Sequence, residues 1–122
     1  MKKISNNKID RIEKTHNFTL PGLYRKLLIE MGFGEFGVDK SKDIYHPSEI
    51  RELYESFFDD PEELFNIYFP FGCDNETQEL WIIDVKQEKA ASIWHETVPE
   101  DWEDESWLTY ENWVINFLPD NL

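Results

Sequence analysis

The sequence predicts an α+β fold, with helices packed on one face of a mainly antiparallel sheet. Three observations carry this expectation. Apolar residues recur at three–four spacing in the N-terminal half and again near the C-terminus. Between them, "NIYFPFG", "ELWIIDV" and "ASIWHE" are rich in aromatic and β-branched residues. These segments follow one another, separated only by the turn-like "CDNETQ" and "KQEKA". The strands therefore cluster instead of alternating with helices.

In chain order, "NKIDRIEKTH" places Ile9 and Ile12 on one face of a short helix, with Asn7 as its candidate cap. In "TLPGLYRKLLIEMG", Thr19 can cap and Pro21 suits the first turn. Leu23, Tyr24, Leu27, Leu28 and Met31 form the buried face, and Gly32 fits a left-handed stop. "FGEFGVDKSKDIY" reads as a loop with a short strand. "HPSEIRELYESFFDD" reads as a third helix, with Ser48 as cap and Ile50, Leu53, Tyr54 and Phe57 on its stripe.

Three strands are expected over 66–71, 79–85 and 90–96, as an antiparallel meander. Pro70 suits an edge or a strand end, because it cannot donate to a ladder. "TYENWVINFL" returns to helical spacing, capped by Thr109, with Tyr110, Trp113, Val114, Phe117 and Leu118 on one face. The core should contain Leu27, Leu28, Leu53, Phe57, Phe71, Trp81, Ile83, Ile93, Trp113 and Phe117.

A length of 122 residues fits one domain, 1–122. Hydrophobic residues at 40% are enough to build a core, which argues against disorder. The net charge of −14 is uneven: residues 1–42 carry +4 and residues 43–122 carry −18. Such an anion repels phosphate backbones and anionic lipid, so neither nucleic acid nor membrane is an expected partner. It attracts basic proteins, although plain solubility would also account for the charge. "MKKISNNK" has no apolar stretch behind it, and no apolar run approaches the ~20 residues of a membrane span. A cytoplasmic location is expected.

Little in the sequence favours catalysis. His16, His46 and His95 match no zinc spacing. "DNETQE" lacks the calcium-loop pattern and its glycine. Cys73 is the single cysteine, so no internal disulfide can form, and neighbouring Asp74 makes it a poor nucleophile. No serine elbow, phosphate loop or dinucleotide fingerprint is found. The expectation is a non-enzyme with no cofactor and no metal.

The strongest candidate for binding is "PEDWEDESW". Its five carboxylates keep the backbone at the surface, since burying them would be very costly. Trp107 is expected to pack inward under the last helix, and Trp102 to stay partly exposed. An indole ringed by Asp101, Glu103, Asp104 and Glu105 suits a cationic partner, which pairs with the acids and stacks on the ring. Asp59, Asp60, Glu62 and Glu63 flank Pro61 and suit either a helix start or a contact surface. Asp74 and Glu76 complete the candidate partner-binding set.

Five segments in order, "LPGLYRKLLIEMGFG", "YHPSEI", "FPFGCDNETQELWIIDV", "ASIWHE" and "TYENWVINFL", resemble the SUKH superfamily over about residues 7–118. Two positions depart from its pattern. Met31-Gly32-Phe33-Gly34 stands where the family often has Asn-Gly-Gly, and the turn Asp74–Gln78 lacks the family's frequent glycine–aspartate pair. The resemblance implies an α+β SUKH-like fold and a binding role. Bacterial members are commonly immunity proteins that neutralise toxins, often nucleases or deaminases. Fungal members regulate cell-wall synthesis and signalling. The expected function is therefore an immunity protein for a basic toxin, with a housekeeping binding or signalling module as the alternative.

Overall fold

The computed structural model of the chain describes residues 1–37, 39–52, 67–97, 101–102 and 106–118. Helix α1 (Asn6–His16) opens on Ser5, whose hydroxyl accepts from the Lys8 amide at 3.3 Å. Asn7, the residue expected to cap, already lies inside the helix. Ser5 takes the role because its backbone is extended and its oxygen reaches the first-turn amides.

Helix α2 (Gly22–Glu30) begins directly after Pro21 and has no cap from its own segment, so Thr19 does not serve. A distant carboxylate does: the Gly22 amide donates to Glu88 Oε1 at 3.0 Å. Arg25 ties α2 to α1, pairing with Asp10 at 2.6 Å and Glu13 at 2.9 Å. Gly32 ends α2 with φ +109°, as the left-handed stop requires. A Cβ at Gly32 would sit 2.5 Å from the Lys2 carbonyl, because the N-terminal segment bridges to Phe33 there.

"FGEFGVDKSKDIY" forms two short strands instead of one, β1 (Gly34–Phe36) and β2 (Lys42–Ile44), paired as a hairpin. A 3-10 turn, Pro47–Glu49, follows. His46 caps it, its Nδ1 accepting from the Ser48 amide at 3.1 Å, so Ser48 lies within the turn instead of starting it. Residues 50–52 are helical and Ile50 is buried. Leu53, Tyr54 and Phe57 lie outside the described residues.

The expected meander is β3 (Tyr68–Asp74), β4 (Glu79–Asp84) and β5 (Lys89–Trp94). All five strands form one antiparallel sheet in the order β1-β2-β3-β4-β5. The fold is α+β.

Strand β3 is central, yet it tolerates Pro70. Strand β2 pairs only with Gly72, Cys73 and Asp74, and the β3–β4 register shifts between Pro70 and Gly72. The missing amide therefore falls at a bulge, outside the span that β2 pairs. Gly72 is needed for close approach: a Cβ there would lie 2.5 Å from the Asp43 carbonyl oxygen and 2.8 Å from the Trp81 ring.

Side chains alternate across a sheet, so Trp81 and Ile83 share one face while Leu80 and Ile82 share the other. The first face meets the helices. Tyr24 of α2 lies 5.4 Å from Phe69 and 6.2 Å from Phe71. Trp113 of α3 (Tyr110–Phe117) crosses Phe71 at 4.9 Å and Trp81 at 5.0 Å, both edge-to-face. Thr109 caps α3 as expected. Each such buried aromatic contributes about 2–3 kcal/mol of apolar burial. Of the expected core, Leu27, Leu28, Phe71, Trp81, Ile83, Ile93 and Trp113 are buried. Phe117 is half-buried and stacks on Trp113, and Leu53 and Phe57 lie outside the described residues.

Candidate functional site

The β3–β4 and β4–β5 turns share one construction. Asp74 Oδ1 accepts from the amides of Glu76 at 3.0 Å and Thr77 at 3.4 Å. Asp84 Oδ1 does the same for Lys86 and Gln87, both at 3.0 Å. Each turn ends on a non-glycine residue in the left-handed region, Gln78 at φ 59° and Glu88 at φ 52°. The β3–β4 turn thus closes without the glycine that many SUKH sequences carry there.

Beside this turn lies a pocket of about 240 Å³, lined by Tyr45, Cys73, Asp74, Asn75, Gln78, Glu79, Leu80 and His95. Its floor is fixed by pairing: Asp43 is opposite Cys73, and Cys73 is opposite Leu80. Burial pushes the Cys73 thiol up, and the Asp43 and Asp74 charges add to the rise, so the sulfur is a weak nucleophile. Burial also holds the Tyr45 hydroxyl protonated. Asp43 is pushed up to about 6, first by burial and then by the charges of Glu49 and Glu35. Among the described residues, no ion pair involves Asp43, Asp74, Glu76 or Glu79. No group of three or more His, Cys, Asp or Glu residues among them could hold a metal. The site is therefore acidic, partly apolar, and not neutralised by the chain's own cations.

Asp74 and Glu76 belong to this end of the sheet. Trp102 touches Tyr68 at 4.8 Å, edge-to-face, and its N–H reaches Thr97, just past Trp94, the β5 residue that pairs with Glu79. Asp101 and Glu76 are exposed. Asp59, Asp60, Glu62, Glu63, Glu103, Asp104 and Glu105 lie outside the described residues.

Trp102 is half-buried, and its N–H donates to Thr97 Oγ1 at 3.0 Å. Trp107 stacks on Tyr68 at 5.9 Å and is half-buried, against the strands as well as before α3. The more exposed indole is Trp94, at 50%, beside His95 at the pocket rim. Sequence reasoning missed Trp94. Its signal was the place of "IWHE" at the end of β5, where a strand-terminal aromatic lies past the helix-covered part of its face.

Comparison with known families now bears on this architecture. The SUKH family described as SMI1-KNR4 cell-wall matches residues 6–111. The chain belongs to the SUKH superfamily. The match takes in α1, α2, every strand and the pocket, so the SUKH fold and the acidic site occupy the same stretch of chain. No curated protein matches the sequence. Among the described residues, no helix of this SUKH chain is long and apolar enough to cross a membrane.

Proposed function

We propose that this SUKH chain is a single binding domain without catalytic activity, acting as an immunity protein whose partner is a basic toxin. The observation that carries this reading is the acidity around the pocket, where Asp74, Glu76 and Glu79 make no ion pair among the described residues. A cationic partner would neutralise these acids, so burying the site against Lys or Arg costs less than burying it against a neutral surface. Exposed Trp94 supplies the aromatic contact that protein interfaces favour. Asp101 and Trp102 would extend this surface, and Asp59, Asp60, Glu62, Glu63, Glu103, Asp104 and Glu105 stay in the proposed partner-binding set. The cell-wall association in the family's description favours a second reading, a regulatory binding module that uses the same face.

The test begins by searching the reading frames beside this one for a basic toxin domain. Binding is measured by calorimetry and stopped flow, and protection by co-expression. Glu76→Gln, Glu79→Gln and Asp101→Asn should each weaken binding by roughly 0.5–1 kcal/mol, mainly by slowing association, with a steep dependence on salt. Binding that is indifferent to both salt and these charges would overturn the reading.

A further inference from the structure

We propose that the outer edge of β5, from Ser92 to Trp94, is where an extended basic segment of a partner protein adds as a further strand. The proposal rests on the protein-binding reading above and specifies how the partner attaches.

The polarity of the edge follows from register. Ala90 exchanges two hydrogen bonds with Leu108, its amide donating to the Leu108 carbonyl at 2.8 Å and its carbonyl accepting from the Leu108 amide at 2.8 Å. The Ala90 backbone groups therefore point away from β4. In an antiparallel ladder this direction repeats every second residue, so the groups of Ser92 and Trp94 also point away from β4. The His95 amide, with the opposite parity, donates inward to the Gln78 carbonyl at 3.0 Å, as this alternation requires.

The outward groups of Ser92, and the amide of Trp94, are not used among the described residues. Among the described residues, neither the Ser92 amide nor its carbonyl has a backbone partner beyond the ladder, and neither does the Trp94 amide. The edge is closed at both ends: Leu108 occupies Ala90, and the Trp94 carbonyl accepts from the Thr97 amide at 3.0 Å and its hydroxyl at 2.6 Å. Two donors and one acceptor are left in a short slot. A strand laid there exchanges both bonds with Ser92 and accepts one from Trp94, as in other cases of strand addition.

Charge selects the occupant. Ser92 and Trp94 share a face with Glu79, whose Oε2 accepts from the Ser92 hydroxyl at 2.5 Å. Glu96 lies just past the strand and is exposed. A Lys or Arg on the added strand meets these carboxylates and the face of the Trp94 ring. A second copy of the chain is disfavoured, because each copy carries −14.

The test uses two peptides of equal charge on the isotopically labelled chain: an alternating lysine–valine octapeptide, and a lysine–proline octapeptide whose prolines cannot donate. Amide exchange at Ser92 and Trp94 should slow at least about tenfold with the first and not with the second. Ser92→Pro removes the outward amide and, with it, the hydroxyl bond to Glu79, so Ser92→Ala serves as its control; relative to Ser92→Ala it should weaken binding of the lysine–valine peptide about tenfold. Equal binding of both peptides without protection at Ser92 and Trp94 would overturn strand addition and leave the acidic-surface reading standing. Failure of both peptides to bind would count against both. Concentration-dependent protection without peptide would make a second copy the occupant and overturn the proposal. If Ser92→Pro fails to fold, exchange on the unaltered chain still decides.

Discussion

The indole N–H of Trp102 donates to Thr97 Oγ1 at 3.0 Å, and the same hydroxyl donates to the Trp94 carbonyl at 2.6 Å. This relay ties the acidic segment to the end of β5. Trp102 is thus a tether as well as a candidate contact. Trp102→Phe keeps a ring beside Tyr68 and loses the N–H, and should cost about 1 kcal/mol. Thr97→Val breaks both bonds and should cost about 1–2 kcal/mol. Denaturant midpoints of the two variants check this. No change in either would mean the relay adds nothing to stability.

Gly72→Ala should be severe. The added methyl has to displace the Asp43 carbonyl or the Trp81 ring, both under 3 Å away. Neither is the loose end of a flexible side chain. A loss of about 2–3 kcal/mol is expected by thermal or urea unfolding.

Gln78→Gly and Glu88→Gly should instead stabilise. Both residues hold left-handed backbone that glycine adopts without a Cβ penalty. A gain of up to about 0.5–1 kcal/mol each is expected, offset in part by the greater freedom of glycine in the unfolded chain. For Glu88 the gain should be smaller, because its carboxylate also caps α2 at Gly22. The difference between the two variants isolates that cap.

Asp43 gives stability a pH dependence of defined sign. Its folded value is about 6, raised first by burial and then by Glu49 and Glu35. Unfolded, it ionises near about 3.9. Between these values the folded chain holds a proton that the unfolded chain has released. The contribution of this group is therefore most favourable below about pH 4, falls as pH rises through about 6, and levels off above. Asp43→Asn should remove that slope. The variant should gain stability over the parent at about pH 7–8 and lose that advantage near about pH 4. Unfolding midpoints across that range measure it, and a parallel pair of curves would refute it.

The periodic parts of the fold were legible in the sequence. Leu23, Tyr24, Leu27 and Leu28 declare one buried helical face, and the meander follows from three β-rich runs with short turns between them. Caps were less legible. Asn7, Thr19 and Ser48 all have suitable side chains, but which residue caps depends on where the extended backbone ends, and tertiary partners decide that. Glu88 capping α2 from 66 residues away has no local signature. The hairpin β1–β2 was hidden because each strand has only three residues.

The candidate site was legible in charge and not in place. Acidity of the C-terminal two-thirds pointed to a basic partner, and the SUKH pattern to binding. The pocket was not visible, since Tyr45, Cys73, Leu80 and His95 meet only through strand register. Trp102 drew notice because acids surround it in sequence, yet Trp94 is the more exposed indole.

The packing of α2 on β3 has a consequence during synthesis. Tyr24 rests on Phe69 and Phe71, but the ribosome adds 44 more residues after Tyr24 before it reaches Phe69. At translation rates of roughly 5–20 residues per second, that gap lasts about 2–9 s. For that interval Leu23, Tyr24, Leu27 and Leu28 emerge as an apolar helical face whose sheet has not yet been made. The nascent chain in this window is a natural client for chaperones at the ribosome exit. Stalling before codon 69 should leave it protease-sensitive, and release past codon 94 should let the meander close over α2.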